Sequence, residues 1–289
     1  MKKLVCLIAA LVMLLGVARA ECPRIEEKDY PVVDGSTATL PLSYSLMQAA
    51  TGVDEAAAKA AIRHNKTTES FYALVDGRAD MLLVYEPSQD AWDYAKQQGV
   101  DLEVQAIGYD APVFLINDGN PVDSMTHEQI VGIYTGEITN WSQVGGDDLD
   151  IVAYQRVENS GSQVMMRAQV MQGVEMVDAP KEFRTSEMGE LVDAIASYKN
   201  TANSIGYSVY YYIDNMYMKS GIKLLKVNGV EPTNATIASG EYPYRQPFYA
   251  VIRADAAEDA PARRLYEWLK TPEGRKLVED AGYVAAEAE

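Results

Sequence analysis

Short apolar runs alternate with amphipathic segments along nearly the whole chain, and this alternation limits the possible folds more than any other feature of the sequence. The apolar run at 81–85 predicts a buried strand, and the amphipathic segment 91–98 that follows it predicts a helix. The same pair recurs at 113–117 and 126–135. A strand followed by a helix, repeated along a chain, predicts layers of mostly parallel α/β structure.

The pattern continues toward both ends of the chain. Further strands are predicted at 30–33, 150–154 and 248–252, and further helices at 39–51, 162–172 and 260–270. A last helix starts with Pro272 in its first turn, where the missing N–H costs nothing, and Gly282 ends it. A tyrosine-rich segment at 207–212 predicts aromatic packing between helix and sheet rather than stacking on a ligand.

Residues 1–20 have the form of a removable export signal. Two lysines start the segment, an apolar run follows, and 17–20 ends in the small-x-small pattern that signal peptidase cleaves. No later stretch is apolar enough to span a bilayer, which takes ~20 helical residues. Glu21 occupies a position where lipid-modifying processing needs a small residue, so we expect a free protein in the periplasm rather than a lipid anchor on Cys22.

Composition excludes several kinds of partner and site. The formal net charge is −17, and loss of the export signal makes it more negative, so nucleic acid and anionic membranes are poor partners. Cys22 is the one cysteine outside the signal, which argues against an intrachain disulfide, a cysteine-rich metal site and thiol catalysis. No low-complexity linker or repeat divides the chain, so we expect one large domain or two medium ones with short structured crossings.

Three loops each follow a predicted strand and supply small hydroxyl residues where a helix begins. They are 34–37 (Asp-Gly-Ser-Thr), 65–68 (Asn-Lys-Thr-Thr) and 159–162 (Asn-Ser-Gly-Ser). The first N–H groups of a helix lack partners within it, so such loops can bind an oxyanion. Helix capping by Ser or Thr is the simpler explanation of any single loop. Three such loops, with Gly35 and Gly161 allowing close approach of the backbone, favour an anion site.

Arg156 lies just before the third loop, at the end of a predicted strand. A guanidinium in this position can make a bidentate contact to an oxyanion held by the turn 160–162. A surface ion pair with Glu158 explains the same residue equally well. The residues alone leave the two interpretations open.

Motifs for catalysis are scarce. The segment 157–162 does not match the nucleophile elbow, and His64 and His127 favour surface or capping roles over that of a general base. No Walker loop, dinucleotide fingerprint or metal-ligand spacing occurs in the sequence. We therefore expect no enzyme activity, no cofactor and no bound metal.

Several blocks of the sequence match those of one known protein family, in the same order along the chain. The most specific is 133–146 (Ile-Tyr-Thr-Gly-Glu-Ile-Thr-Asn-Trp-Ser-Gln-Val-Gly-Gly). The others are 34–37, 106–117, 120–122, 126–130, 160–162, 204–207 and 271–284. Together they resemble the phosphate-binding proteins of high-affinity phosphate ABC importers, over essentially the whole chain after the export signal.

The resemblance implies a two-lobed periplasmic-binding-protein fold of type II. Each lobe would be a mostly parallel sheet flanked by helices, with the ligand in a cleft that closes by hinge motion. The chain would cross between the lobes near 106–111 and near 245–249. The first lobe would then comprise 21–108 together with 247–289, and the second lobe 109–246.

The resemblance also assigns phosphate-binding roles to particular residues. They are Ser36, Thr37, Thr67, Thr68, Glu86, Arg156, Ser160, Gly161 and Ser162. Glu86 stands where members of the family have an aspartate. A carboxylate there accepts a hydrogen bond only from an oxyanion that carries a proton, as phosphate does at neutral pH and sulfate does not. Glutamate is one methylene longer than aspartate, which changes the dimensions of the pocket.

The implied function is that of a non-catalytic receptor. It would capture inorganic phosphate as a monomer and pass it to an ABC permease in the inner membrane. The alternative is a ligand-sensing protein of the same fold that presents phosphate or another oxyanion to a signalling partner. An enzyme such as a phosphatase ranks third, because no pair of nucleophile and base is evident.

Overall fold

The computed structural model describes residues 20–197 and 202–287. The predicted export signal lies outside the described residues, apart from Ala20. The described chain is a mixed α/β structure in which helices surround two main sheets, so the predicted α/β class is confirmed. Among the described helices, none is long and apolar enough to cross a membrane.

The strands of the described chain form the two main sheets and two small sheets of two strands each. In chain order they are β1 (Val33–Gly35), β2 (Met81–Val84), β3 (Leu102–Asp110), β4 (Pro112–Asn117), β5 (Ser124–Met125), β6 (Val152–Ala153), β7 (Gln155–Arg156), β8 (Arg184–Thr185), β9 (Ser204–Val209), β10 (Ile222–Leu224), β11 (Lys226–Val227), β12 (Gln246–Arg253) and β13 (Val284–Ala285).

The described chain contains ten α-helices, about half of which lie close to predicted positions. They are α1 (Leu40–Thr51), α2 (Glu55–Ala61), α3 (Thr67–Val75), α4 (Gln89–Gln98), α5 (His127–Thr135), α6 (Gly161–Met165), α7 (Met188–Ala196), α8 (Asn234–Ser239), α9 (Pro261–Leu269) and α10 (Pro272–Asp280). Two segments, Met166–Met171 and Tyr212–Tyr217, are π-helical.

The first main sheet has the strand order β1-β2-β12-β3-β13. All four residues of its strand β2 are buried. Because successive side chains of a strand point to opposite sides, this strand is buried on both faces. Met81 and Leu83 join one hydrophobic cluster, while Leu82 and Val84 join another that also contains Phe71 of α3. Burial on both faces explains why this strand is a continuous apolar run in the sequence.

The second main sheet has the strand order β10-β4-β9-β6. Phe114 of β4 is fully buried and contacts the rings of Tyr134 and Tyr244, with centroid distances of 6.4 and 6.1 Å. Helix α7 packs closely on β9 at Gly206, where a Cβ atom would lie within 2.8 Å of Leu191. Apolar contacts of this kind hold the helix against the sheet.

The prediction of mostly parallel sheets is wrong. Only the pairs β1·β2 and β6·β9 are parallel within the two main sheets of the described chain. The other pairs, β2·β12, β12·β3, β3·β13, β10·β4 and β4·β9, are antiparallel. Strand β12 returns from the second sheet and therefore enters the first sheet from the opposite end, a direction that hydrophobic periodicity does not encode.

Three predicted elements differ from the observed ones. The strand predicted at 30–33 overlaps β1 only at Val33, because Pro31 has no N–H to donate and the Val32 N–H binds Asp80 instead, at 2.8 Å. The strand predicted at 150–154 is replaced by β6 and β7, which belong to different sheets. The helix predicted at 162–172 consists of α6 and a π-helical segment.

The chain passes between the main sheets at two places that lie side by side. Strand β3 ends at Asp110 and β4 begins at Pro112, so the first passage is a single residue long. The second passage leads into β12, whose Gln246 pairs with Asp110. Next to it, the guanidinium of Arg245 lies 3.5 Å from the centroid of the Tyr109 ring. Two adjacent antiparallel strands therefore connect the sheets.

We expect the change Phe114→Ala to lower the free energy of unfolding by about 3–5 kcal/mol, because it removes a fully buried ring and leaves a cavity between β4 and α5. Urea denaturation followed by circular dichroism measures the change. Val104→Ala in β3 is the matched control, since Val104 is 39% exposed. A loss below about 1 kcal/mol for Phe114→Ala would contradict this account of the second sheet.

Candidate functional site

A small cleft lies between the two main sheets, where loops from both sides meet. Its volume is about 30 Å³, far below the several hundred Å³ of pockets for drug-sized ligands. The lining residues are Ser36, Thr37, Ala38, Lys66, Thr67, Tyr85, Arg156, Ser160, Gly161, Ser162, Glu187, Met188 and Val209. Seven residues of the predicted site are among them: Ser36, Thr37, Thr67, Arg156, Ser160, Gly161 and Ser162.

The first loop leaves β1 and places Ser36 in the cleft. The Ser36 hydroxyl accepts a hydrogen bond from the Tyr85 N–H at 3.1 Å and shares another with the Thr67 hydroxyl at 2.8 Å. Gly35 makes this geometry possible, because a Cβ atom there would lie 1.8 Å from the Leu83 carbonyl oxygen. The backbone of β1 thus approaches β2 more closely than any side chain would allow.

The second loop precedes α3 and has a strained backbone. Lys66 has φ 72° and ψ 169°, a region occupied almost only by glycine and costing of order 1–3 kcal/mol. Thr67 then begins the helix inside the cleft. Thr68 is buried but does not line the cleft, and its hydroxyl donates to the Asn159 carbonyl on the opposite side at 3.0 Å.

Two polar side chains support these loops from behind. The Asp34 carboxylate accepts hydrogen bonds from the Gly35 and Asn65 N–H groups, both at 2.7 Å. His64 Nδ1 lies 2.7 Å from the Ser36 carbonyl and Nε2 lies 3.0 Å from the Ser43 hydroxyl. Because a carbonyl only accepts, Nδ1 is the donor, and burial lowers the pKa of His64 and so favours the neutral ring. His64 is therefore a partly buried support of the first loop rather than a free surface residue.

Arg156 ends β7 with its side chain in the cleft, only 4% exposed. Its Nε donates to the Thr185 carbonyl at 3.1 Å, and one Nη donates to the Ser186 carbonyl at 2.9 Å. Burial lowers the pKa of Arg156, yet an arginine pKa starts so high that the guanidinium stays charged at neutral pH. The alternative ion pair with Glu158 does not form, since Glu158 pairs with Arg167 at 2.9 Å.

The third loop follows β7 of the small sheet β7-β8 and faces the first two loops across the cleft. Ser160 caps α6, its hydroxyl accepting from the Gln163 N–H at 3.3 Å, and Gly161 and Ser162 begin the helix. A Cβ atom on Gly161 would lie 2.4 Å from the Thr67 hydroxyl oxygen. The Ser162 hydroxyl lies 3.4 Å from an Nη of Arg156. Hydroxyl groups from both sides thus line the cleft that contains the guanidinium.

A charged pair spans the cleft at its edge. Lys66 Nζ lies 2.5 Å from Glu187 Oε1, and both side chains are about half exposed. An exposed pair of this kind contributes only about 0–1 kcal/mol. With Arg156 the lining carries two positive charges and one negative charge, so the pocket favours an anion although the whole chain is acidic.

Glu86 is not among the residues that line the cleft. Its carboxylate accepts a hydrogen bond from Trp92 Nε1 at 2.9 Å and lies beside Tyr249; burial, together with this carboxylate, raises the pKa of Tyr249 to about 12. The reason is alternation along an extended chain: Tyr85 lines the cleft, so its neighbour points the other way. Within the described lining, Glu187 is the one carboxylate.

Sequence reasoning missed Glu187, although a local signal was present. Glu187 and Glu190 form a capping box at the start of α7, directly after the short strand β8. This is the arrangement of strand, loop and helix found at the first and third loops, with carboxylates in place of hydroxyls. The prediction that the second loop also follows a strand is wrong, because helix α2 precedes it. In the described ranges, no group of three or more His, Cys, Asp or Glu side chains is arranged to hold a metal ion.

We expect Gly35→Ala to lower the free energy of unfolding by more than about 3 kcal/mol, because the added methyl group collides with backbone and β1 must separate from β2. Thermal and urea denaturation both measure the loss. Gly119→Ala adds the same methyl group where the nearest atom is 3.1 Å away, and serves as the control. Equal stability of the two variants would show that β1 does not need this close approach.

Relatives share this architecture. The phosphate-binding protein PstS of Borreliella burgdorferi is 26% identical to this chain over 238 residues, which cover 77% of this chain and 83% of that protein. A crystal structure titled as a putative phosphate ABC transporter substrate-binding protein with bound phosphate, from Clostridium perfringens, superposes with a TM-score of 0.68 at 23% identity, covering 88% of this chain and 98% of that one.

An ABC-type phosphate transport receptor from Vibrio cholerae gives a TM-score of 0.62 at 24% identity, with coverage of 87% of this chain and 98% of that one. These likenesses confirm the predicted two-lobed periplasmic-binding-protein fold of type II. The model of a family described as the PBP superfamily domain matches residues 23–271. Because that match spans most of the sequence, the chain belongs to the PBP superfamily.

Proposed function

We propose that this protein is a receptor that captures inorganic phosphate and delivers it to the permease of an ABC importer. One observation carries the proposal: a buried, charged Arg156 shares a small cleft with hydroxyl groups from loops on both sides of that cleft. Arginine recognises oxyanions by charge-assisted hydrogen bonds, and serine and threonine hydroxyls add neutral donors.

The cleft favours a small inorganic oxyanion over an organic phosphate. Its volume of about 30 Å³ suits a small inorganic oxyanion better than an anion that carries a sugar or nucleoside. The relative from Borreliella burgdorferi is named a phosphate-binding protein, and the Clostridium perfringens structure contains bound phosphate. Both names agree with the chemistry of the lining residues.

The residues proposed to hold phosphate come from three loops and one strand end. They are Ser36, Thr37, Thr67, Arg156, Ser160, Gly161 and Ser162. Thr68 is proposed to help close the cleft through its bond to Asn159 rather than to contact the ligand. We assign 21–108 with 247–289 to the first lobe and 109–246 to the second, with the hinge at the two passages beside Asp110.

The cellular setting follows from the same proposal. Residues 1–20 would direct export and be removed, leaving the mature protein free in the periplasm as a monomer. A catalytic role has little support in the cleft, because both ring nitrogens of the nearby His64 already have hydrogen-bond partners. Delivery to a permease requires only binding and release.

We expect Arg156→Gln to weaken phosphate binding about 100-fold or more, because the change removes about two charge-assisted hydrogen bonds. Isothermal titration calorimetry of the mature protein, with phosphate and separately with sulfate, measures this. Arg167→Gln is the matched control, since Arg167 forms a surface ion pair with Glu158. Absence of phosphate binding by the ligand-stripped wild type would refute the proposed function.

Selectivity is proposed to depend on Glu187 rather than on Glu86, because only Glu187 lines the cleft. A carboxylate there accepts a hydrogen bond from protonated phosphate and repels fully ionised sulfate. We expect Glu187→Gln to reduce the preference for phosphate over sulfate about 10-fold, a change of roughly one hydrogen bond. Glu86→Gln should leave the ratio of the two dissociation constants unchanged, and the reverse result would return the selective role to Glu86.

A further inference from the structure

Asp110 is a buried carboxylate at the passage between the two main sheets. It ends β3, is 2% exposed, and its immediate neighbour Ala111 leads into β4. Its Oδ1 accepts hydrogen bonds from the Ala111 and Tyr211 N–H groups, at 2.8 and 3.1 Å. Its Oδ2 accepts from the Tyr85 hydroxyl at 2.5 Å. One side chain therefore binds both sides of the passage.

The partners of Asp110 lead directly to the cleft. Tyr85 follows β2 in the first sheet and lines the cleft, while Tyr211 follows β9 in the second sheet. Any rotation of one sheet against the other must change the distance between these two partners. The carboxylate thus joins a wall of the cleft to the point about which the sheets would turn.

A second series of contacts also connects Tyr211 to the cleft. The ring of Tyr211 stacks on Tyr283, with centroids 3.5 Å apart and planes 5° from parallel. The Tyr283 hydroxyl donates to the carbonyl of Ala38, which also lines the cleft, at 2.6 Å. The Tyr211 hydroxyl donates to the Ala281 carbonyl at 2.8 Å. The hinge cluster, defined as Tyr85, Asp110, Tyr211 and Tyr283, therefore touches the cleft at two places.

The titratable groups that act on Asp110 are tyrosines from every element packed around it. They are Tyr85 after β2, Tyr210 and Tyr211 after β9, and Tyr283 before β13. Tyr210 also interacts with Asp214, and the cation of Arg245 lies on the ring of Tyr109. Burial raises the pKa of each of these four tyrosines, so they act as neutral donors at neutral pH.

We infer that Asp110 is a positioning residue for ligand capture, whose ionised carboxylate holds the Tyr85 side of the cleft in register with the second sheet. The inference rests on the proposed phosphate-binding function. Only the ionised form accepts all three hydrogen bonds, because a proton on Oδ2 would oppose the hydroxyl proton of Tyr85.

Ionisation of Asp110 has opposite consequences for stability and for binding. Burial raises the pKa of Asp110 to about 6, above its usual value of about 4. The folded protein therefore holds this proton more tightly than the unfolded chain, and stability falls as the pH rises from about 4 to about 6. The affinity for phosphate should instead rise over the same pH range, because the ionised carboxylate positions Tyr85.

Asp110→Asn tests the charge with almost no change of shape. The amide oxygen keeps both bonds from backbone N–H groups, but the amide nitrogen cannot accept the bond that the Tyr85 hydroxyl donates to the carboxylate Oδ2. We expect inorganic phosphate to bind this variant about 10-fold more weakly than wild type at pH 8, the effect of roughly one hydrogen bond. At pH 5 the two proteins should bind alike, with the ratio of their dissociation constants changing near pH 6.

Tyr85→Phe provides a second variant that is independent of how well Asp110→Asn folds. It should weaken phosphate binding at pH 8 by a similar factor, and the double variant should be no weaker than either single one. Tyr94→Phe is the control, because its hydroxyl forms the same type of bond to Asp76, at 2.7 Å, on the surface. The titration of phosphate itself cancels in each ratio of variant to wild type.

The outcomes separate the two proposals. Parallel pH profiles for wild type and Asp110→Asn, together with unchanged binding by Tyr85→Phe, overturn the positioning role and leave the receptor function intact. Failure of the wild type to bind phosphate at any pH overturns both. At pH 8 the stability of Asp110→Asn should equal or exceed that of wild type, so weaker binding by a protein at least as stable supports positioning.

Discussion

The positive charge of Arg156 organises the cleft. Its guanidinium is almost fully buried and donates to the carbonyl oxygens of Thr185 and Ser186. Carbonyl dipoles hold the group in place without neutralising it, and a buried charge without a counter-ion is costly. Under the proposed function, an anion that enters the cleft would supply negative charge beside the guanidinium. The hydroxyls of Ser36 and Thr67 would then only fill the remaining positions around that anion, so a few small side chains would suffice.

Local features of the sequence predicted most of the residues that line this cleft, because each loop can be recognised from its own few residues. A strand end followed by hydroxyl residues and a helix start is visible within a few positions, as at 34–37 and 159–162. Glu86 shows the limit of such evidence. Its identity and neighbours matched a ligand-binding position, but alternation along the chain directs its carboxylate to Trp92. Whether Tyr85 or Glu86 faces the cleft depends on how the strand is placed in the sheet, which no local pattern encodes.

Nonlocal pairing also explains the largest difference between the predicted and the observed fold. The apolar periodicity of β12 identified a strand correctly, but its partners are β2 and β3, far earlier in the chain. Its direction depends on the path of the chain, which leaves the first sheet after β3, forms the second sheet and then returns. The helices that were predicted have local start signals, such as the Thr126 and Thr271 caps whose side chains accept from the first turn. Helices α2, α7 and α8 were not predicted, and only the start of α3 was.

Several arrangements oppose stability, and all of them lie in the cleft or at the passage between the two main sheets. Lys66 adopts a backbone conformation suited to glycine, Arg156 buries a cation, and Asp110 is a carboxylate whose ionisation is disfavoured by burial. The apolar residues of β2 and β4 offset these terms, since both strands are buried on both faces. Under the proposed function, the protein would close on its ligand and later release it, which requires contacts that differ little in free energy between the two states. Polar contacts across the cleft, such as that between Thr68 and Asn159, would meet this need, because water would replace them in an open cleft.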